Sequence, residues 1–221
     1  MANCHIKRTI VEEGSKKSPL GRAILGRVPH ASFNEPLDGT SKGNMGKDTL
    51  HLLSYKGEFL KPCPGTKEYI CCGYQILNVA TNCPLDCSYC ILQSYFLHQP
   101  HLRIHVNLEE KLAPILAFID RDPGQIIRVG TGEFADSLAL DSLTRWTDIL
   151  MRPFSERKNA VLEFKTKTNQ IDGLISSPYR DRIIVSWSLN SPLISATEER
   201  GPQRSSKDLK RPGNVRKKDL W

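Results

Sequence analysis

Between residues 74 and 190, β-prone apolar segments alternate with helical patterns, and this alternation restricts the possible folds more than any other feature. The segments predicted as strands of one sheet are YQILNVAT, QIIRVGTG, AVLEFKT and DRIIVSWSLN. Several of them are apolar almost throughout, which is typical of parallel strands that are covered on both faces. The alternation therefore predicts an α/β protein in which βα units form a parallel sheet.

Helical patterns fill the segments between these strands. NLEEKLAPILAFID is predicted as a helix with Asn107 as its N-cap and Glu110 three residues later, in a capping box. DSLTRWTDILMRPF is predicted as one amphipathic helix, and QIDGLIS as a short one. In residues 1–70 only SPLGRAILGRV suggests a helix, with Ser18 as cap and Pro19 in the first turn. We therefore expect residues 1–70 to be a loosely structured loop and helix arm.

Polar residues follow the predicted strands at the points where they end. Cys83 follows the first strand, Glu133 lies in GTGEFAD, Lys167 in KTKTN, and Ser188 and Asn190 in SLN. In a barrel of βα units, ligands bind at the carboxyl ends of the strands. The sequence therefore predicts that these side chains share one rim of the sheet.

Three cysteines, Cys83, Cys87 and Cys90, are spaced Cys-x3-Cys-x2-Cys in the loop-like run CPLDCSYC. The chain has seven cysteines, all within the first ninety residues, and no signal-peptide pattern precedes them. In such a chain metal binding is favoured over a disulfide framework. Three thiolates suit a [4Fe-4S] cluster with one open iron. A zinc site completed by a ligand from the arm, or a group of buried reduced thiols, remain as alternatives.

The extended run CPLDCSYCILQSYF, with Tyr89 directly before the third cysteine, resembles the signature of the radical S-adenosylmethionine (SAM) superfamily. Within that superfamily it is similar to the spore photoproduct lyase family. The similarity continues through GTGEFADSLALDSLT, LEFKTKTNQIDGL and SWSLN, and covers most of residues 8–200. The resemblance implies a partial (β/α) radical SAM barrel over residues 71–200, with about four of six βα units.

The resemblance also implies the chemistry. Cys83, Cys87 and Cys90 would hold a [4Fe-4S] cluster, whose open iron binds SAM and cleaves it reductively to a 5′-deoxyadenosyl radical. Glu133 is the expected partner of the SAM amino group and Lys167 of its carboxylate. The other expected cofactor contacts are Tyr89, Ser188 and Asn190. The implied partners are a DNA photolesion as substrate and an electron donor such as flavodoxin or ferredoxin. The enzyme itself is expected to be a monomer.

This sequence departs from the family at two positions. The lyases carry a further cysteine where this chain has Glu133, and a tyrosine where it has Ile91. No cysteine follows Cys90. Both residues of the lyases' hydrogen-return path are therefore replaced, and we expect the reaction to differ from spore photoproduct repair by the usual route.

Most of the net charge lies at the end of the sequence. Residues 201–221 hold seven basic and two acidic residues, and so carry +5 of the net +7. This segment lacks apolar periodicity, and we interpret it as an aberrant, disordered tail that follows a frameshift near Pro202. An inactive fragment, or a metal-bearing module that binds nucleic acid through this tail, are the alternative functions.

Two further expectations follow from composition. No apolar stretch is long enough to span a membrane, and the N-terminus lacks the apolar core of a signal peptide, so a cytoplasmic protein without membrane contact is expected. His98, His101 and His105 show no metal-ligand spacing, and we expect them to face solvent.

Overall fold

The computed structural model describes residues 6–28, 46–65, 67–70 and 72–199. Its strands are β1 (Arg8–Val11), β2 (Thr49–Leu53), β3 (Leu60–Pro62), β4 (Gln75–Leu77), β5 (Ala80–Thr81), β6 (Leu102–His105), β7 (Ile127–Gly130), β8 (Ala160–Thr166) and β9 (Ile183–Trp187). Its α-helices are α1 (Pro19–Leu25), α2 (Leu92–Tyr95), α3 (Leu108–Ile119), α4 (Asp141–Thr144), α5 (Trp146–Ser155), α6 (Asp172–Ser176) and α7 (Pro192–Glu198). A 3-10 turn covers Glu13–Lys16.

The larger sheet has the strand order β3-β4-β7-β8-β9. Strands β4, β7, β8 and β9 are mutually parallel, and β3 adds to β4 in the antiparallel direction. These four parallel strands are the ones that the sequence predicts, and they alternate with helices along the chain. The α/β fold with a partial barrel is therefore confirmed.

A second sheet has the order β1-β2-β6-β5. The sequence indicated a β-prone run at RIHVNL, which contains most of β6, but it did not indicate a separate sheet. Strands β1, β2 and β6 are parallel, and β5 pairs with β6 in the antiparallel direction. The predicted strand YQILNVAT is split between the two sheets, since β4 belongs to the larger sheet and β5 to the smaller. The chain thus changes sheets just before the cysteine loop.

The arm is more ordered than predicted. Helix α1 begins at Pro19, and the Ser18 hydroxyl accepts a hydrogen bond from the backbone N–H of Gly21 at 2.8 Å, as the sequence indicated. Leu20 and Ile24 of this helix are buried in the main core. Because β1 pairs with β2, β2 pairs with β6, and β3 pairs with β4, the expectation of a loose arm is wrong for its described residues. The predicted tail at 201–221 lies outside the described residues.

Two helix predictions need correction. Asn107 precedes α3, but its side chain does not cap the helix, so the predicted capping box is wrong. The Asn107 side chain instead accepts from the Tyr55 N–H at 2.8 Å and donates to the Tyr55 carbonyl at 3.0 Å. The second predicted helix is interrupted at Arg145, whose φ of 55° is left-handed. Asp141 accepts from the N–H and hydroxyl of Thr147, so it supplies the hydrogen bonds that begin α5.

The main core covers one face of the larger sheet and continues into the smaller sheet. Leu162 and Phe164 of β8 are fully buried, as are Trp146, Leu150 and Phe154 of α5, which packs on that strand. Because successive strand residues point to opposite faces, Glu163 and Lys165 lie on the other face of β8. That inner face is polar, and it leads to the carboxyl ends of the strands.

The histidine prediction is wrong for two of the three residues. His98 is exposed, but His101 and His105 are buried at 4% and 0% exposure. The His105 ring stacks on Tyr55 with 4.1 Å between ring centroids.

Among the helices of the described residues, none combines the length and apolarity needed to span a membrane.

Candidate functional site

The cysteine loop, residues 82–90, begins with an unusual backbone conformation. Asn82 has a φ of 71° and Asp86 a φ of 50°, in the left-handed region that Asn and Asp tolerate better than most residues. The Asn82 side chain accepts from the Cys83 N–H at 2.9 Å and donates to the Pro100 carbonyl at 2.7 Å. These contacts anchor the start of the loop against the segment before β6.

One pocket of about 230 Å³ gathers the residues that the sequence placed at the rim. It lies where β7, β8 and β9 end, and the candidate residues that line it are Cys83, Cys87, Cys90, Tyr89, Glu133, Lys167 and Ser188. Asn190 is outside this lining, but its amide donates to the Tyr89 hydroxyl at 2.7 Å. The predicted rim is therefore one connected site, and the roles of its residues remain predictions.

The three thiols lie against a small apolar cluster. Cys87 is buried, Cys83 and Cys90 are half-buried, and all three pack with Leu85 and Ala139. Burial, reinforced by the Asp136 carboxylate, raises the pKa of the Cys83 thiol to about 12. A metal that binds here must displace that proton, because the thiolate is the ligand.

Among the described residues, no group of three or more His, Cys, Asp or Glu side chains is arranged to hold a single metal ion. The fit to an iron–sulfur cluster rests on the donor set. Such clusters are held by cysteine thiolates, and each thiolate binds its own iron. The three thiols line one pocket, and its described lining residues include no histidine and no further cysteine. The donor set is therefore made of cysteine thiols alone, as an iron–sulfur cluster requires.

Asp136 fastens the loop after β7 to the end of β8. Its carboxylate accepts from the N–H groups of Leu138 and Ala139 at 2.9 Å, from the Thr166 hydroxyl at 2.7 Å and from the Lys167 N–H at 2.7 Å. Burial raises the pKa of this carboxyl, while the four hydrogen bonds oppose the rise. Sequence reasoning missed this residue, because an aspartate in a loop is common and its partners at the end of β8 are 30 and 31 residues away.

Lys167 is the best-defined cation of the pocket. Its Nζ donates to Glu199 Oε1 at 2.7 Å and to the Ser188 carbonyl at 3.1 Å, and lies 5.6 Å from the centroid of the Tyr89 ring. Burial lowers the pKa of Lys167, but the hydrogen bonds and charges of Glu199 and Tyr89 together outweigh it and the net shift is upward. Glu199 also went unrecognised in the sequence, since it belongs to no motif.

The inner face of the larger sheet carries a second polar network below the pocket. Glu163 is almost fully buried and accepts from the Tyr74 hydroxyl at 2.8 Å, from Arg128 at 2.9 Å and from the Ser186 hydroxyl at 2.5 Å. The Tyr74 ring crosses Gly130, where an added Cβ would lie 1.6 Å from the tyrosine oxygen. The glycine is therefore required for this network.

Comparison with known proteins links this architecture to one family. The family model described as spore photoproduct lyase matches residues 68–219. The curated spore photoproduct lyase of Geobacillus sp. (strain Y412MC61) is 27% identical over 118 residues, which are 53% of this chain and 35% of the relative. That of Bacillus subtilis (strain 168) is 25% identical over 55% of this chain and 36% of the relative. The chain thus spans about a third of the length of these two relatives.

Solved structures show the same fold. A spore photoproduct lyase complexed with dinucleoside spore photoproduct matches with a TM-score of 0.76 and 21% identity, over 91% of this chain and 61% of the other. A variant of spore photoproduct lyase with bound AdoMet and dinucleoside spore photoproduct matches with a TM-score of 0.77 and 20% identity, at the same coverage. The family resemblance read from the sequence is confirmed. The family model matches more than half of the residues of this chain, and the chain therefore belongs to the spore photoproduct lyase family.

Proposed function

We propose that the chain is a radical SAM enzyme of the spore photoproduct lyase type. Cys83, Cys87 and Cys90 hold a [4Fe-4S] cluster, and the adjoining pocket holds SAM. When bound and reduced, the cluster and SAM supply a 5′-deoxyadenosyl radical that abstracts a hydrogen atom from substrate. The observation that carries the proposal is the shared pocket, in which the three thiols lie with Glu133 and Lys167 at the carboxyl ends of parallel strands.

The pocket offers SAM one group of each charge. The Lys167 ammonium binds the carboxylate of SAM, and the exposed Glu133 carboxylate accepts from its amino group. Both are charge-assisted hydrogen bonds, which are about twice as strong as neutral ones. Tyr89 and Ser188 line the same wall beside the cofactor, and Asn190 is held against Tyr89. The buried side chains of Leu85 and Ala135 reduce the access of water to the reacting groups.

We propose a DNA photolesion as substrate, since solved relatives of the same fold are complexed with dinucleoside spore photoproduct. Glu133 stands where the lyases have their hydrogen-donating cysteine, so return of a hydrogen to the product follows another route in this chain. The family resemblance further supports a monomeric cytoplasmic enzyme that takes electrons from a flavodoxin or ferredoxin.

The test is anaerobic iron and sulfide reconstitution of the full chain, followed by dithionite and SAM, with 5′-deoxyadenosine as the product scored. We expect about four iron atoms per chain and deoxyadenosine formation in the wild type. Cys87→Ala should form no deoxyadenosine. Cys63→Ala is the matched control, because Cys63 is half-buried but lies outside the pocket, and it should behave as wild type.

Two results would contradict the proposal. One is a chain that binds zinc but no iron, which would favour the zinc alternative. The other is deoxyadenosine formation that persists in Cys87→Ala.

The substrate is tested separately with dinucleoside spore photoproduct, where release of thymidine supports a lesion substrate. Deoxyadenosine formation that is unaffected by the dinucleoside, with no thymidine released, would argue for a different substrate.

A further inference from the structure

Glu199 forms the centre of a hydrogen-bond cluster beside the pocket. Its side chain is only 2% exposed. Its carboxylate accepts from Lys167 Nζ at 2.7 Å, Asn190 Nδ2 at 2.6 Å, Ser195 Oγ at 2.8 Å and the Tyr89 hydroxyl. A buried carboxylate is costly unless it is paired and hydrogen-bonded, and these four donors meet that need. Burial would raise the pKa of Glu199, but the donors, Lys167 first, lower it to about 2.

Three of the four donors are side chains that the sequence assigned to SAM. Lys167, Tyr89 and Asn190 all donate to the same oxygen, Oε1 of Glu199. They also contact one another, since Asn190 donates to the Tyr89 hydroxyl at 2.7 Å and the Lys167 ammonium lies over the Tyr89 ring. The position of each therefore depends on the one carboxylate that they share.

The donor count of Lys167 leaves room for a ligand. A lysine ammonium has three N–H donors. One is directed to Glu199 and one to the Ser188 carbonyl. The Tyr89 hydroxyl is a further hydrogen-bond partner of the ammonium. An anion in the pocket would therefore take over the third N–H from Tyr89, while the first two hold the ammonium in place.

The backbone ties Glu199 to the cysteine loop. Cys87 and Glu199 form an isolated antiparallel bridge, and the Ser88 N–H donates to the Glu198 carbonyl at 2.8 Å. The carboxylate and the thiols are thus fixed to each other through the main chain, although they are more than 100 residues apart in sequence.

We propose that Glu199 is a positioning residue for SAM, which holds the Lys167 ammonium at a fixed distance from the cluster cysteines. This inference rests on the proposed function. A group that orients a ligand-binding residue lowers affinity about 10–100-fold when it is removed from a metal site, and we expect a loss in this range here. Glu199 acts through Lys167, and it does not itself contact SAM.

The experiment measures the Kd of labelled SAM by anaerobic equilibrium dialysis against the reconstituted full chain. Glu199→Gln keeps the size of the side chain and one carbonyl oxygen, but removes the charge that fixes Lys167. It should weaken SAM binding about 10-fold or more, with the iron content of the wild type. Glu198→Gln is the matched control, because Glu198 is the adjacent residue and accepts from Ser88 instead of Lys167. Its Kd should stay within about twofold of wild type.

A double-mutant cycle with Lys167→Met separates positioning from general structural damage. If Glu199 acts through Lys167, then Glu199→Gln should cause no further loss of SAM affinity in the Lys167→Met background. Losses that multiply in the double variant would overturn the proposal. So would tighter SAM binding by Glu199→Gln, which would mean that Glu199 competes with SAM for the ammonium.

The same samples distinguish this inference from the proposed reaction. Coupled losses of SAM affinity without any 5′-deoxyadenosine formation in the wild type would contradict the reaction but support the role of Glu199. Deoxyadenosine formation in the wild type, with uncoupled losses of affinity, would contradict the role of Glu199 alone.

Discussion

The buried histidines make the stability of this protein sensitive to mild acid. His105 is fully buried, its Nδ1 lies 2.9 Å from the Asn78 carbonyl, and its ring stacks on Tyr55. Burial lowers the pKa of His105 to about 4, although the hydrogen bond to the Asn78 carbonyl opposes the shift. The unfolded chain has an ordinary histidine pKa near 6.5. Below that pH the unfolded state therefore binds a proton that the folded state excludes, and stability falls as pH falls from 6.5 towards 4.

The size of the effect follows from the two pKa values. The folded ring, with a pKa of about 4, excludes a proton that the unfolded chain binds. The free energy of unfolding therefore falls by about 2 kcal/mol between pH 7 and pH 5. His51 is also buried, and its pKa is likewise lowered to about 4 by burial first and then by the nearby His101 and Arg103. The two rings together then remove about 4 kcal/mol, a large share of the roughly 5–15 kcal/mol that stabilises a typical domain.

Urea unfolding at pH 7 and pH 5 measures this loss. His105→Phe keeps a ring against Tyr55 but has no titrating group at this position. Its free energy of unfolding should therefore fall by about 2 kcal/mol less between the two pH values than that of wild type. His98→Phe is the matched control, because His98 is exposed and its removal should leave the pH dependence unchanged. An equal pH-dependent loss in wild type and His105→Phe would refute the reasoning. So would an NMR titration in which the His105 ring protonates near pH 6.5.

Two substitutions test contacts that position the fold. Gly130→Ala should force the Tyr74 ring away from Glu163 and cost about 2–4 kcal/mol in urea unfolding, because a buried carboxylate loses a partner. Gly124→Ala, whose added Cβ meets only an ordinary contact at 3.4 Å, should change stability by less than about 1 kcal/mol; equal effects would contradict this account. Asn107→Ala should cost about 2 kcal/mol through its two lost hydrogen bonds to backbone, with the helical circular dichroism signal unchanged. A loss of helical signal would show that Asn107 caps α3 after all.

Local sequence patterns predicted the parallel strands of the larger sheet correctly. Strand β8 spans the predicted segment AVLEFKT, and α1 begins at the predicted Ser18 cap. Such patterns depend on residues that are close in the chain, through side-chain periodicity and capping chemistry. The family was identified by resemblance, through the run CPLDCSYCILQSYF and the similar segments that follow it.

Where the local pattern competed with a tertiary contact, the prediction failed. Asn107 has the chemistry of a helix cap, but Tyr55 offers both a donor and an acceptor to the same side chain. Arg145 interrupts a continuous helical pattern, because Asp141 hydrogen-bonds Thr147 and begins a new helix. The sequence pattern suggested that His105 faces solvent, and it did not indicate that Asn78 and Tyr55 would enclose the ring.

The sequence by itself determined the family, the parallel strands and the side chains that meet at their carboxyl ends. Only the tertiary structure decided how those side chains are held. Glu199 reaches Tyr89 and Lys167 across 110 and 32 residues, and Asp136 reaches Lys167 across 31. Such hydrogen bonds form only once the chain path brings distant segments together, and this arrangement, unlike periodicity, is a property of the whole fold.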